Sequence, residues 1–214
     1  MPKLHAKTAV LRRQAFAAAG KRCFLRRGFH AVSIRDIAKE AGYSLGNLYV
    51  HFPDKLAIYR HVVGSVTGEF QSNFNPLNAH LLSCTFPADL EKLAVTAREL
   101  VEYFDDYFRL AHIDAVEFGG QHMGDAFSNL EERLRGIGRL EGKVAGGSEK
   151  SFAFTAAYLS FIHYFMLSRL FRATDVYRAK DEADAVAKLV HLFRHGVGQS
   201  KPPRLQRNLR ESDW

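Results

Sequence analysis

The stretch Ser33–Lys55, SIRDIAKEAGYSLGNLYVHFPDK, decides how the rest of the chain is read. It opens on Ser33, whose hydroxyl can accept a free amide at a helix start. Asp36, three residues on, stands where a capping box usually has Glu or Gln. Ile34, Ile37 and Ala38 make an inward side of this short helix, and Arg35, Lys39 and Glu40 an outward one. Gly42 breaks it. Ser44 then caps a third helix carrying Leu45, Gly46, Asn47, Leu48, Tyr49 and His51. Pro53 stops that helix, and Asp54 caps a fourth that begins Lys55, Leu56, Ala57, Ile58, Tyr59. Two short helices joined by three or four residues around a glycine are the helix-turn-helix arrangement. Its second helix is slim enough to enter a major groove while the first crosses the backbone.

Working outward, residues 8–27 predict a first helix. Val10, Phe16, Ala17, Ala19, Cys23 and Phe24 supply its apolar side, and Arg12, Arg13, Lys21, Arg22, Arg26 and Arg27 lie mostly elsewhere. Gly28 suits the C-cap, where a left-handed backbone carries no Cβ strain. Gly20, inside the helix, suits close packing. The charge follows the same division. Residues 1–63 hold twelve Lys and Arg against three Asp and Glu, a net +9 in a chain whose total is +7. Residues 64–200 hold fourteen against eighteen, and 201–214 four against two. A local field of that sign fits a polyanion, because each neutralised phosphate releases condensed counterions. A basic, solvated face is the plainer alternative.

Phe24, Gly28, Phe29, Ser33, Ile34, Ile37, Ala38, Ala41, Gly42, Ser44, Gly46, Leu48, Tyr49, His51, Phe52 and Lys55 stand in the order of a known pattern. Over roughly residues 10–60 the chain resembles the tetracycline-repressor (TetR) family of bacterial regulators. The resemblance implies a homodimer that offers the helix Ser44–Phe52 of each subunit to successive major grooves of a palindromic, double-stranded DNA operator. It implies phosphate contacts by Ser33, Tyr49, His51 and Lys55, and places Arg35, Ser44, Leu45 and Asn47 nearest the base edges. Arg pairs well with guanine and Asn with adenine, whereas Leu45 offers only apolar contact, to a thymine methyl for instance. The function so implied is that of a repressor released by a small hydrophobic or aromatic effector.

The remaining two thirds also read as helix. The fourth helix runs from Asp54 past Phe70 and joins the two regions. Pro76 and Pro87 bracket a looser segment, and periodicity resumes over residues 89–111. A short helix around residues 112–118 ends at Gly119 and Gly120, and another spans about residues 125–143. The last two long helices are residues 150–171 and 182–197. In the first, Phe154, Tyr158, Phe161 and Phe165 recur four, three and four apart; the second shows Val186, Leu189, Phe193 and Val197. The resemblance makes these a dimer interface, although an aromatic stripe of this kind is also how a monomer core reads. The family's effector cavity lies among the central helices, where Phe70, Leu100, Tyr103, Phe104, Tyr107, Phe108, Phe118, Met123 and Phe127 are the candidate walls.

The expected architecture is therefore all-α, an N-terminal helix-turn-helix three-helix bundle plus a C-terminal helical ligand-binding and dimerisation domain. The divisions are 1–53 for DNA binding, 54–200 for regulation, and 201–214 as a flexible basic tail. No signal peptide and no apolar run of about eighteen residues is legible. With only Cys23 and Cys84, a reduced, cytoplasmic protein is expected. No cofactor and no membrane partner are expected, and no P-loop, dinucleotide loop, zinc-protease motif or nucleophile elbow marks an enzyme. His112, Asp114, Glu117 and His122 could form a small metal or acid–base cluster, but without recognised ligand spacing. A constitutive or architectural DNA-binding protein remains the alternative, separable by sequence-independent binding with a steep salt dependence.

Overall fold

The computed structural model describes residues 2–78, 84, 87–124, 148–171 and 179–196. Among these the chain is all-α. Its elements are α1 (Pro2–Arg27), α2 (Ile34–Ala41), α3 (Leu45–His51), α4 (Lys55–Asn78), α5 (Leu90–Tyr103), α6 (Asp105–Phe118), α7 (Ser148–Phe171) and α8 (Glu182–His195). Among the described residues no helix is long and apolar enough to cross a membrane.

Helix starts and stops follow the local chemistry. The Asp36 amide donates to the Ser33 hydroxyl at 3.2 Å, and the Ser33 amide donates back to Asp36 Oδ2 at 2.9 Å. Asp thus closes the capping box as Glu would. Gly42 ends α2 with φ +76°, the left-handed conformation that favours glycine. Ser44 Oγ accepts the Asn47 amide at 3.2 Å, and Asp54 Oδ1 accepts the Ala57 amide at 2.7 Å.

Three expected boundaries differ. α1 starts at Pro2 rather than Thr8, and α4 continues through Pro76 to Asn78, where a looser segment was expected. A proline near a helix end removes one backbone bond without stopping the turn. The helix expected over 89–111 is broken at Phe104, which separates α5 from α6 with φ −104° and ψ 30°. Leu100, Phe104 and Phe108 keep the apolar phase across the break, so periodicity carries no trace of it. The helix expected near 125–143 and the tail 201–214 lie outside the described residues.

Packing divides the chain differently from the expected functional boundary between 53 and 54. One compact unit is Met1–Asn75 with Phe104–Leu130, and the other is Pro76–Tyr103 with Glu131–Trp214. In the first unit, Phe16, Phe24, Ile37, Leu48, Ile58 and Tyr59 are wholly buried. Each such large side chain contributes about 2–3 kcal/mol on transfer from water. Gly20 permits the close approach of α1 to α4, since a Cβ there would lie 2.6 Å from Ile58 Cγ2. α6 joins this unit by polar contacts with α1. Asp106 pairs with Lys21, and Arg109 Nη2 donates to the Leu25 carbonyl at 2.9 Å. In the second unit α5, α7 and α8 pack together through Leu93, Ala97 and Leu100, through Ala157, Tyr158 and Phe161, and through Ala185 and Leu189.

Candidate nucleic-acid interface

α3 is seven residues long and buries one side chain, Leu48, completely. Everything else about it follows from that anchor. Residues three and four apart share a helix face, so the side opposite Leu48 runs through Gly46, Tyr49 and Val50. All three are exposed, Tyr49 at 50% and Val50 at 79%. Ser44 at the N-cap is exposed as well, while Leu45, Asn47 and His51 are half-buried. On α2, Ser33 and Arg35 are exposed. Ser33, Arg35, Ser44 and Tyr49 of the expected DNA-contacting set thus lie open to solvent. Asn47 does not: its Oδ1 is shielded from solvent, so it stands at the margin of the face expected to read bases. Val50, the most exposed large apolar residue on α3, was missed. The only signal for it in the sequence was its place two residues after a core leucine.

α1 clamps the end of α3. Arg13 Nη1 donates to the His51 carbonyl at 2.7 Å, and its guanidinium lies 4.3 Å from the centre of the Phe52 ring. That pairing satisfies a carbonyl at the helix C-terminus with a cation, the favourable sign there. The Phe16 ring supports Tyr43 at 5.3 Å and the His51 imidazole at 5.7 Å.

At the opposite end of the head, the turn between α1 and α2 is held from two sides. Lys55 Nζ donates to the carbonyls of Phe29 at 2.8 Å and Val32 at 2.7 Å, and sits over the Phe29 ring at 4.1 Å. Glu117 of α6 accepts the amides of Phe29 at 3.1 Å and His30 at 2.7 Å. Gly28 lies against this carboxylate with φ +78°, and a Cβ there would stand 2.2 Å from Glu117 Oε1. Burial pulls the Lys55 ammonium below its ordinary pKa, and the nearby Glu117 carboxylate opposes that shift. Two of the three Lys55 ammonium hydrogens are therefore committed inside the protein. The sequence, which marked Lys55 as a phosphate contact, gave no sign of this.

One turn along α6 from Glu117, Asp114 is completely buried and accepts four hydrogen bonds. The amides of His122 and Met123 reach its Oδ2 at 3.0 and 2.9 Å; His122 Nδ1 and the Tyr59 hydroxyl reach its Oδ1 at 2.9 and 3.4 Å. Burial, then the Asp114 charge, pushes the Tyr59 phenol well above its ordinary value. Of the four groups expected as a possible metal cluster, Asp114 and His122 thus fasten α4, α6 and the turn after α6, while Glu117 holds the turn between α1 and α2. Among the described residues no group of three or more His, Cys, Asp or Glu could hold a metal ion.

The residues expected to line an effector cavity are divided. Phe70, Phe104, Tyr107, Phe108, Phe118 and Met123 belong to the first unit, Leu100 and Tyr103 to the second. Phe70 stacks on Tyr107 with ring centroids 4.0 Å apart and meets Phe104 edge-on at 4.7 Å. These rings fill one another's space, and burial pushes the Tyr107 phenol up to about 12. Tyr103 is exposed, and Phe127 lies outside the described residues. A cavity of about 450 Å³ opens elsewhere, within the second unit. Ala94, Val95, Arg98, Phe165, Glu182, Ala183 and Val186 line it, so of the residues predicted for either role only Phe165 and Val186, both assigned to the dimer, touch it.

The expected dimer stripe faces inward in the single chain. Phe154, Tyr158, Phe161, Phe165, Val186 and Leu189 are all buried within the single chain, and Phe193 is half-buried. Val197 lies outside the described residues. The spacing picked out the inward side of α7, which packs on α5 and α8. The outward side carries Phe152 at 76% and Leu159 at 43% exposure, with His163 one turn further on; α8 leaves Leu192 uncovered.

Residues 17–62 match the family model for bacterial regulatory proteins of the tetR family. Over 100 residues the chain is 31% identical to the HTH-type transcriptional repressor BepR of Brucella suis biovar 1 (strain 1330), which covers 42% of this chain and 47% of that protein. It is 29% identical over 131 residues to the HTH-type transcriptional repressor KstR2 of Mycolicibacterium smegmatis, covering 58% and 61% respectively. The chain therefore spans about half the length of the curated relatives it matches. The fold extends further. A TetR-like transcriptional regulator from Rhodococcus sp. RHA1 superposes with a TM-score of 0.57 at 16% identity, over 88% of this chain and 97% of that one. A transcriptional regulator from Aquifex aeolicus VF5 gives 0.52 at 17% identity, over 86% and 96%. The capped helix-turn-helix of Ser33–Lys55 thus lies within the segment that matches the tetR family of bacterial regulatory proteins.

Proposed function

We propose that the protein is a dimeric transcriptional repressor that binds a palindromic operator and is released by a small effector. The observation that carries this reading is the outer side of α3, uncovered from Ser44 to Val50 and set in a head of net charge +9. A solvated basic face has no need of a helix clamped at its end by Arg13 and stripped of bulk at Gly46. Arg35 from α2 and Tyr49 from α3 reach the nucleic acid, with Ser33 and Ser44 on flanking phosphates. Lys55 adds positive charge but holds most of its hydrogens inside.

A second copy covers the outward side of α7, through Phe152 and Leu159, and Leu192 of α8. Burying such side chains between copies is what an obligate dimer interface requires. The effector has an apolar body sized for the cavity beside Phe165, with Arg98 and Glu182 supplying polar contacts at its wall. The KstR2 and BepR relatives are both repressors, which supports the direction of regulation.

Selection of bound duplexes from a random library tests the reading directly. Enrichment of an inverted repeat is the expected result. Failure to enrich any motif, with affinity falling steeply and uniformly with salt, would instead establish a sequence-independent binder.

A further inference from the structure

We propose that Val50 is a specificity-determining residue, packing its side chain on the C5-methyl of one thymine in each operator half-site. The inference rests on the DNA-binding reading above and deepens it.

Among the described residues Val50 is the most exposed large apolar side chain of the head, at 79%, and it sits on the side of α3 that the protein leaves bare. Gly46, one turn before it on the same side, is open: a Cβ there would meet nothing within 4 Å. The helix backbone can therefore come close to a groove floor at Gly46, and Val50 is the next side chain to reach it. The hydrogen-bonding groups on α3 are placed otherwise. The Ser44 hydroxyl accepts the Asn47 amide, and Asn47 Oδ1 is shielded. The Tyr49 hydroxyl stands at the tip of a long, half-exposed ring suited to the backbone. The most exposed side chain on the outer side of α3 is consequently apolar and branched.

The major groove offers one apolar group among its base-edge patterns, the methyl of thymine. A valine set against the donors and acceptors of guanine or cytosine would strip water from them without replacing a hydrogen bond, which is unfavourable. The same side chain against a methyl buries apolar surface on both partners. Recognition at this position is thus attraction to thymine combined with rejection of G·C pairs.

The test uses the full-length chain and the sequence enriched by selection. Each thymine of one half-site is replaced singly by deoxyuridine, which deletes the methyl and leaves every hydrogen-bonding group in place. One such replacement is expected to weaken binding about fourfold, the worth of one buried methyl. With Val50→Ala the same replacement is expected to cost nothing further, and Val50→Ile keeps the discrimination. Thermal unfolding of both variants checks that they fold as the parent does, as an exposed position predicts. If no deoxyuridine position discriminates, or if the penalty is the same in Val50→Ala, the contact is overturned while operator binding stands. If no sequence is enriched, the proposal falls together with the reading on which it rests.

Discussion

The turn between α1 and α2 and the outer side of α3 belong to the same small helical head, yet they are built in opposite ways. In the turn, the Phe29 and Val32 carbonyls go to Lys55 and the Phe29 and His30 amides go to Glu117. On the outer side of α3, Gly46, Tyr49 and Val50 are left to solvent. The first region stabilises the head by leaving few polar groups unmet; the second is held rigid from behind by Leu48, Phe16 and Arg13 so that its front can be bare. Residue type alone does not tell the two apart, because a lysine near the helix proposed to read DNA also fixes the scaffold of the head.

The largest test of this contrast is Gly28→Ala. A positive φ and a Cβ facing Glu117 Oε1 both oppose the new side chain, so chemical denaturation should show a loss of about 3 kcal/mol. Part of that loss should disappear when Glu117→Ala is made as well, because the steric part of the penalty is then relieved. Next comes Lys55→Ala, expected to cost about 2 kcal/mol of stability through two abandoned carbonyls. A variant that binds operator poorly but unfolds like the parent would break the contrast. Tyr49→Phe lies on the other side of it. Its stability should stay within about 0.5 kcal/mol of the parent. Operator affinity should drop about fivefold on losing one hydrogen bond.

The smallest effect concerns pH. Burial, reinforced by the Arg13 charge, holds the His61 imidazole below its ordinary value of 6.5. Between those two values the unfolded chain binds a proton that the folded chain refuses. His61 thus contributes stability that is present above pH 6.5 and declines as pH falls through its lowered folded value. Unfolding midpoints measured from pH 7.5 down to 5 should fall less steeply for His61→Gln than for the parent.

Much of the head was legible because its signals are local. Ser33 with Asp36, Gly42, Ser44 and Asp54 each act on backbone groups within four residues, and all four perform as their chemistry predicts. Less was legible in the second unit. The four-three-four spacing of Phe154, Tyr158, Phe161 and Phe165 correctly found one side of α7 but could not say whether that side met its own chain or another copy. The break at Phe104 was invisible because the apolar phase continues through it. Glu117 gave no hint of its role, since its two partners lie 88 and 87 residues earlier.

The sequence by itself thus determined the capped helix-turn-helix and its basic field, since these depend on short-range hydrogen bonding and on summed charge. Tertiary structure decided which of the marked residues face outward. Exposure depends on what packs behind each side chain: Phe16 and Arg13 behind the end of α3, the Phe29 and Val32 carbonyls in front of Lys55, α5 against the aromatic side of α7. Such neighbours are distant in the chain, and no local spacing encodes them.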